Sequence, residues 1–331
     1  MSYKSVAPSP QLTNDERPIR VLNLVTSPSA SFFRQQVNAL EKRGVSCTDL
    51  PVSEMRLMTD EVKERRPATD YVRFYAKAFK ESFGEFDLVH ANSGLTAPPA
   101  VVQPNLPVVI SFWGSDLMGT LGPMSKLCAR RADAVIVMSQ EMADELGMDC
   151  HVIPHGVNME MFTPMSKTAA REHLGWDQDA TYVLFPYPAS RGIKDYPRAK
   201  RVVDAARERF DGDLRLQTVY EVEHEEMPYY MNAADAMILT SKREGSPNAT
   251  KEALACNLPV VSVDVGDIQQ QLGGVGSAVI ANTDEELTEG LLALLTADHL
   301  PESREWAMRT MSVESMAERI HAVYEQVLEA N

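Results

Sequence analysis

Glu244 and Glu252, with seven residues between them, stand in Arg243-Glu244-Gly245-Ser246-Pro247-Asn248-Ala249-Thr250-Lys251-Glu252-Ala253-Leu254. Carboxylates so placed can accept hydrogen bonds from sugar hydroxyls in a largely dry site. A helix beginning between them offers free backbone N–H groups and a positive dipole end to an anion such as a diphosphate. Two cations, Arg191 and Lys194, lie in Pro188-Ala189-Ser190-Arg191-Gly192-Ile193-Lys194-Asp195. Cations three residues apart suit a diphosphate, which gains negative charge as a glycosidic bond breaks. Either pair alone is also what an ordinary solvated surface carries, so the elements around them must decide.

Those elements put both pairs at strand ends. Ala236 to Thr240 (AMILT) reads as a short buried strand, and a helix follows with Pro247 at its first position, where a missing N–H is harmless. Asn257 and Pro259 stop that helix. Arg191 and Lys194 follow the strand Tyr182 to Phe185. Ligands of open α/β sheets bind in the crevice outside the carboxyl ends of the strands. From Ile19 onward, strands and helices alternate through two successive halves, which predicts mainly parallel, doubly wound sheets. The expected division is a flexible tail over 1–17, a first α/β domain over 18–155, a second over 156–311, and a terminal helix over 312–331. That helix gathers Val313, Met316, Ala317, Ile320, Val323, Tyr324 and Val327 on one face.

The 331 residues suffice for two such domains, and 44% apolar with 24% charged residues is an ordinary globular composition. A net charge of −15 removes any global basic footprint for nucleic acid. Four cysteines without CxxC or zinc spacing read as reduced core residues of a cytosolic protein. The N-terminus lacks the apolar segment of a signal peptide, and no run is long enough to span a bilayer. Gly273-Gly274-Val275-Gly276 precedes a strand rather than a helix, which argues against a dinucleotide dehydrogenase. Asp211-Gly212-Asp213 sits in a turn and is not placed for metal.

Glu244, Glu252, the small residues Ala253 and Ala255, and the apolar Leu258-Pro259-Val260-Val261 resemble the signature of the retaining glycosyltransferases of family 4, also called glycosyl transferases group 1. The resemblance covers nearly the whole chain from Ile19 and is strongest from Asn232 to Asp267. It implies a GT-B fold, two Rossmann-like domains facing a cleft. It also implies metal-independent, cofactor-free transfer from a nucleotide-sugar donor, here expected to be a UDP-sugar, to a glycan, lipid-linked or small-molecule acceptor. By the same resemblance Glu252 holds the ribose. Gly245, Ser246, Pro247, Asn248, Ala249 and Thr250, with Arg191 and Lys194, hold diphosphate and sugar, and Glu244 faces the sugar. The terminal helix would cross back to the first domain, and His155-Gly156-Val157-Asn158 would form the hinge.

The chain departs from the family in two loops. Ser111-Phe112-Trp113-Gly114-Ser115-Asp116 has Trp113 where the family has histidine, while Gly114 and Asp116 match. Ser27-Pro28-Ser29-Ala30-Ser31 lacks the usual paired glycines. Asp116 is read as a second catalytic candidate, with loop capping its plainer alternative. Trp113, His90 and Ser29 are read as substrate-pocket candidates, and a histidine such as His90 at a strand end is as readily structural. Arg65, Arg66, Arg73, Lys77 and Lys80, interleaved with Tyr71, Phe74, Tyr75, Phe79 and Phe83, suggest either a core helix with a solvated face or contact with the inner membrane surface. A non-catalytic sugar-nucleotide-binding or scaffold protein, and a GT-B sugar-nucleotide epimerase, remain the alternatives.

Overall fold

A computed structural model describes residues 17–52 and 68–331, so the expected tail up to residue 16, and Arg65 and Arg66, lie outside the described residues. The first sheet holds β1 (Arg20–Val25), β2 (Ser46–Pro51), β3 (Leu88–Ala91), β4 (Val108–Phe112), β5 (Ala134–Val137) and β6 (His151–Val152). The second holds β7 (Thr181–Phe185), β8 (Leu214–Thr218), β9 (Ala236–Leu239), β10 (Val260–Ser262) and β11 (Ala278–Ile280). Every pairing is parallel. Helices cover both faces of such sheets, so central strands such as β4 (VVISF) and β9 (AMIL) are buried at every residue.

Strand order runs β2-β1-β3-β4-β5-β6 and β11-β10-β9-β7-β8. In each sheet the first connection leads to one side of the first strand, and the next, β2 to β3 or β8 to β9, returns to its other side. The switch points therefore fall between β1 and β3 and between β7 and β9, where an open α/β sheet forms its ligand crevice.

The chain passes between the domains twice, and the two passages lie side by side. Val157 N–H donates to Met311 O at 2.8 Å and Val313 N–H to Val157 O at 3.1 Å. A Cβ on Gly156 would stand 2.5 Å from Ser312 O and from Val313 Cα, so only glycine allows this approach. The helix Val313–Ala330 then lies on the first domain, its apolar face joining that domain's core.

His90, expected in the substrate pocket, is instead wholly buried beneath that helix. Its Nδ1 meets Tyr324 Oη at 2.7 Å and its Nε2 meets Ser111 Oγ at 2.8 Å, leaving neither nitrogen for substrate. Burial pushes its pKa down to about 3. The folded value lies below the unfolded value of about 6.5, so the unfolded chain binds a proton that the native state excludes. The contribution is complete above pH 6.5 and is lost as pH falls toward 3. Wild type should therefore lose about 1.4 kcal/mol per pH unit more than His90→Gln across that window, measured by urea unfolding at stepped pH; parallel curves would remove His90 as the cause.

Candidate active site

The loops after β7 and β9 meet at the second switch point and are stapled together. Thr240 Oγ1 bridges to the carbonyls of Lys194 at 3.1 Å and Asp195 at 3.0 Å, and Lys242 N–H donates to Ile193 O at 2.9 Å. The first loop closes in a 3-10 turn, Gly192–Lys194, and Asp195 takes a left-handed φ of 54° before the next helix. Lys194 Nζ is thereby brought onto Glu244 Oε1, with side chains only 6% and 12% exposed. Nζ also lies 3.8 Å from the centroid of the Tyr187 ring. Burial lowers the Lys194 pKa and Glu244 opposes that shift. Burial and the neighbouring glutamates raise the Tyr187 phenol well above its usual range.

Glu244 is held in place through its backbone. Gly266 has φ of +60°, and a Cβ there would come within 2.5 Å of Gly245 O and 2.9 Å of Glu244 O. Asp267 N–H donates to Gly245 O at 3.1 Å, and Ser246 Oγ donates to Asp267 Oδ2 at 2.6 Å. Gln271 Nε2 donates to Asp267 Oδ1 at 2.7 Å, and Gln271 Oε1 accepts from Thr250 Oγ1. Pro247, expected at the first helical position, is the N-cap, and the helix runs Asn248–Ala255. Thr250 and Ala249 are buried, and Thr250 Oγ1 also lies 2.8 Å from Pro247 O, so these two residues can offer a ligand only backbone.

Arg191, Lys194, Arg243, Glu244, Gly245 and Ser246 line a cavity of ≈ 450 Å³. Its opposite wall comes from the first domain: Trp113, Gly114, Met118, Gly119 and Glu141, with His155 at the hinge. Glu252 does not share that cavity. It lines a small pocket of ≈ 50 Å³ with Asn248, His224, Phe162, Asn158 and Phe32. Its carboxylate lies 3.9 Å from His224 Nε2. Burial pushes the Glu252 pKa up to about 7, with Lys251 pulling the other way.

Asp116 holds its own loop. Its Oδ1 accepts from Trp113 N–H at 2.9 Å and Gly114 N–H at 3.1 Å, and its Oδ2 accepts from Gly94 N–H at 2.9 Å. With both oxygens committed, the geometry favours its plainer reading, a clasp. Trp113 packs edge-on against Phe32 at 4.3 Å and His155 at 5.5 Å, and its buried Nε1 has no hydrogen-bond partner among the described residues. Ser29 is exposed in its turn and lines neither pocket; its loop reaches the smaller one through Ser31 and Phe32. Sequence reasoning missed Arg243, Glu141 and His224. Arg243 adjoined the signature glutamate, while nothing local marked the other two.

Architecture and paired walls define the GT-B class. Sucrose-phosphate synthase from Thermosynechococcus elongatus superposes with a TM-score of 0.74 at 17% identity, over 94% of this chain and 100% of that one. HepE from Anabaena, solved with UDP, gives 0.67 at 14%, over 93% and 100%. The Glycosyltransferase Family 4 model matches residues 32–161 and the Glycosyl transferases group 1 model residues 196–297. The chain belongs to this family of GT-B glycosyltransferases. The lipopolysaccharide core biosynthesis mannosyltransferase LpsB of Rhizobium meliloti (strain 1021) is 26% identical over 246 residues, 62% of this chain and 68% of that protein. Two other curated glycosyltransferases are matched over 63% and 49% of their own length, so the chain spans less than two-thirds of each.

Gly266→Ala should destabilise the fold by about 1–3 kcal/mol, since a side chain there meets both backbone strain and the Gly245 carbonyl. Denaturant unfolding checks this, and an unchanged midpoint would mean the Glu244 loop can move aside freely.

Proposed function

We propose that this chain transfers a sugar from a nucleotide-sugar donor to a hydroxyl acceptor across the ≈ 450 Å³ cavity, with retention and without metal. The observation that carries the reading is the Lys194–Glu244 ion pair at the ends of β7 and β9, facing Trp113 and Gly114 across the cleft. As the C1–O bond to the diphosphate breaks, positive charge grows on the sugar ring and negative charge on the leaving phosphate oxygen. An ammonium and a carboxylate, held ready in a low-dielectric cleft, oppose those two charges without reorganising. Arg191 adds a second cation on the phosphate side. The acceptor oxygen bonds to C1 on the same face, and its proton passes to the departing phosphate oxygen.

Cationic side chains and the backbone of Gly245 to Thr250 do the work a metal would do. Asp213, of Asp211-Gly212-Asp213, is turned instead onto Arg215. The UDP and UDP-glucose complexes of HepE support a uridine nucleotide as donor. Glu252, in its narrow pocket beside Asn248, would take the ribose diol. Trp113 would shape the sugar or acceptor pocket through contact area rather than proton chemistry.

A ribose donating to Glu252 favours its ionised form, and burial holds that group near pKa 7. Donor binding at pH 7 should therefore release protons, read by calorimetry in buffers of different ionisation enthalpy. Glu252→Ala should abolish the release and weaken binding by about 1.5–3 kcal/mol. Unchanged affinity would remove this residue from the site. Slow hydrolysis of bound donor without acceptor separates a transferase from a non-catalytic binder.

A distinct observation supports the membrane-surface reading. Among the described residues, six of the ten exposed large apolar side chains, Val72, Tyr75, Phe79, Phe83, Val102 and Leu127, lie on or just after three neighbouring helices, Ala97–Val102 and the two it packs against, Ala68–Glu81 and Gly122–Ala129. Arg73, Lys77, Lys80, Arg130 and Arg131 are exposed on the same helices or directly after them, a basic and apolar combination suited to an anionic lipid surface. No helix among the described residues is long and apolar enough to cross a membrane. Co-sedimentation with vesicles containing anionic lipid should fall with salt and vanish when Arg73, Lys77 and Lys80 are changed to Gln. No binding to such vesicles at low salt would end this reading and leave the acceptor a soluble one.

A further inference from the structure

The cavity holds three cations on its second-domain wall, Arg191, Lys194 and Arg243, and they are not equivalent. Lys194 is bound to Glu244 and sits on the Tyr187 ring, so part of its charge is already answered within the protein. Neither Arg191 nor Arg243 has a carboxylate partner or a side-chain hydrogen bond among the described residues. Both are exposed to the cavity, and both leave loops that the Lys242 N–H to Ile193 O bond and the Thr240 hydroxyl fasten together. Arg243 directly precedes Glu244, whose backbone Gly266 and Asp267 hold against the helix start. Its neighbour Lys242, by contrast, turns to Asp195 at 3.7 Å and does not line the cavity.

We infer that Arg243 is a phosphate-binding residue of this site, which joins Arg191 in clamping the terminal phosphate of a nucleoside diphosphate. The assignment rests on the donor reading above and adds a residue to it. The diphosphate of a nucleotide sugar carries one charge on each phosphoryl group and free UDP a further one on its terminal phosphate, and two unpaired guanidiniums match that better than one guanidinium beside a neutralised ammonium. Planar, forked donors also hold two phosphate oxygens at once, which an ammonium cannot. Arg243 would then bear on the phosphate nearer the sugar, where charge grows as the bond breaks.

Calorimetry on the full chain with UDP and with UMP tests this, using Arg243→Gln, Arg243→Lys and, as a neighbouring control, Lys242→Gln. Loss of one charge-assisted bond should weaken UDP by about tenfold in Arg243→Gln while UMP is little changed. Arg243→Lys should fall between, and Lys242→Gln should match wild type. Thermal midpoints of all variants show whether the fold is intact. Equal losses for UDP and UMP would make Arg243 a loop-folding residue and overturn the assignment, as would a loss no larger than that of Lys242→Gln. If wild type binds neither nucleotide, nor GDP or GMP, the donor reading itself fails, a result separable from the first because it needs no variant.

Discussion

Two strands of backbone lying against each other at the hinge set the geometry of everything else. Val157 exchanges hydrogen bonds with Met311 and Val313, and Gly156 lets the passages touch. The chain therefore enters the second domain and leaves it at one place. The leaving helix is committed to the first domain's core, where Tyr324 reaches His90. The second domain is tied to the same point from its own side: buried Lys251 donates from Nζ to His155 O at 2.7 Å. Burial lowers that ammonium's pKa to about 8. Lys251 adjoins Glu252, so one short helix carries a hinge anchor and a candidate ribose ligand side by side.

The same helix explains why so many polar groups are tolerated near the cleft floor. Thr250, Gln271, Asp267 and Ser246 satisfy one another in a chain that ends on the loop bearing Glu244. A buried network of this kind is favourable only when complete, because each unpaired member keeps its desolvation cost. The Lys194–Glu244 pair follows the same logic with higher stakes. Desolvating two ions generally outweighs their mutual attraction, so the pair is weak as a stabilising device. In the proposed reaction the pair serves as readiness: charges already desolvated and fixed need no reorientation when a substrate bond begins to polarise.

Much of this was legible in the residues. Strand–helix alternation predicted parallel sheets, and the apolar stripe of the last helix showed that it packed on something. The loops of Glu244 and of Arg191 with Lys194 were placed at strand ends because Pro247, Asn257 and Pro259 punctuate the chain locally. What failed needed partners distant in sequence. Asp116 lies near residues that cap, yet one of its acceptor bonds comes from Gly94. His90 finds its partners in Ser111 and in Tyr324 at the far end of the chain. The separation of Glu244 from Glu252 into two pockets depends on helix rotation about Pro247, which a spacing of residues does not fix. The helix Lys167–Leu174 was missed although its signals were local: Ser166 caps its start, and Gly175 closes it with φ of 66°. Its weak apolar stripe gave periodicity little to detect.

The net charge of −15 stands against a polyanionic donor until distances are considered. At physiological ionic strength, charges more than about 8 Å apart on the surface are largely screened. A ligand in the cavity would therefore respond to the groups that line it, where Arg191 and Arg243 have no carboxylate partner among the described residues. Glu141 is the carboxylate that the first domain contributes to the lining, on the opposite wall. Cations on the second-domain wall and a carboxylate with Trp113 and Met118 across from them make the cleft electrostatically two-sided. On the proposed reading this asymmetry favours a phosphate-bearing ligand at the second domain and leaves the first-domain wall to a partner that tolerates, or uses, a negative neighbour.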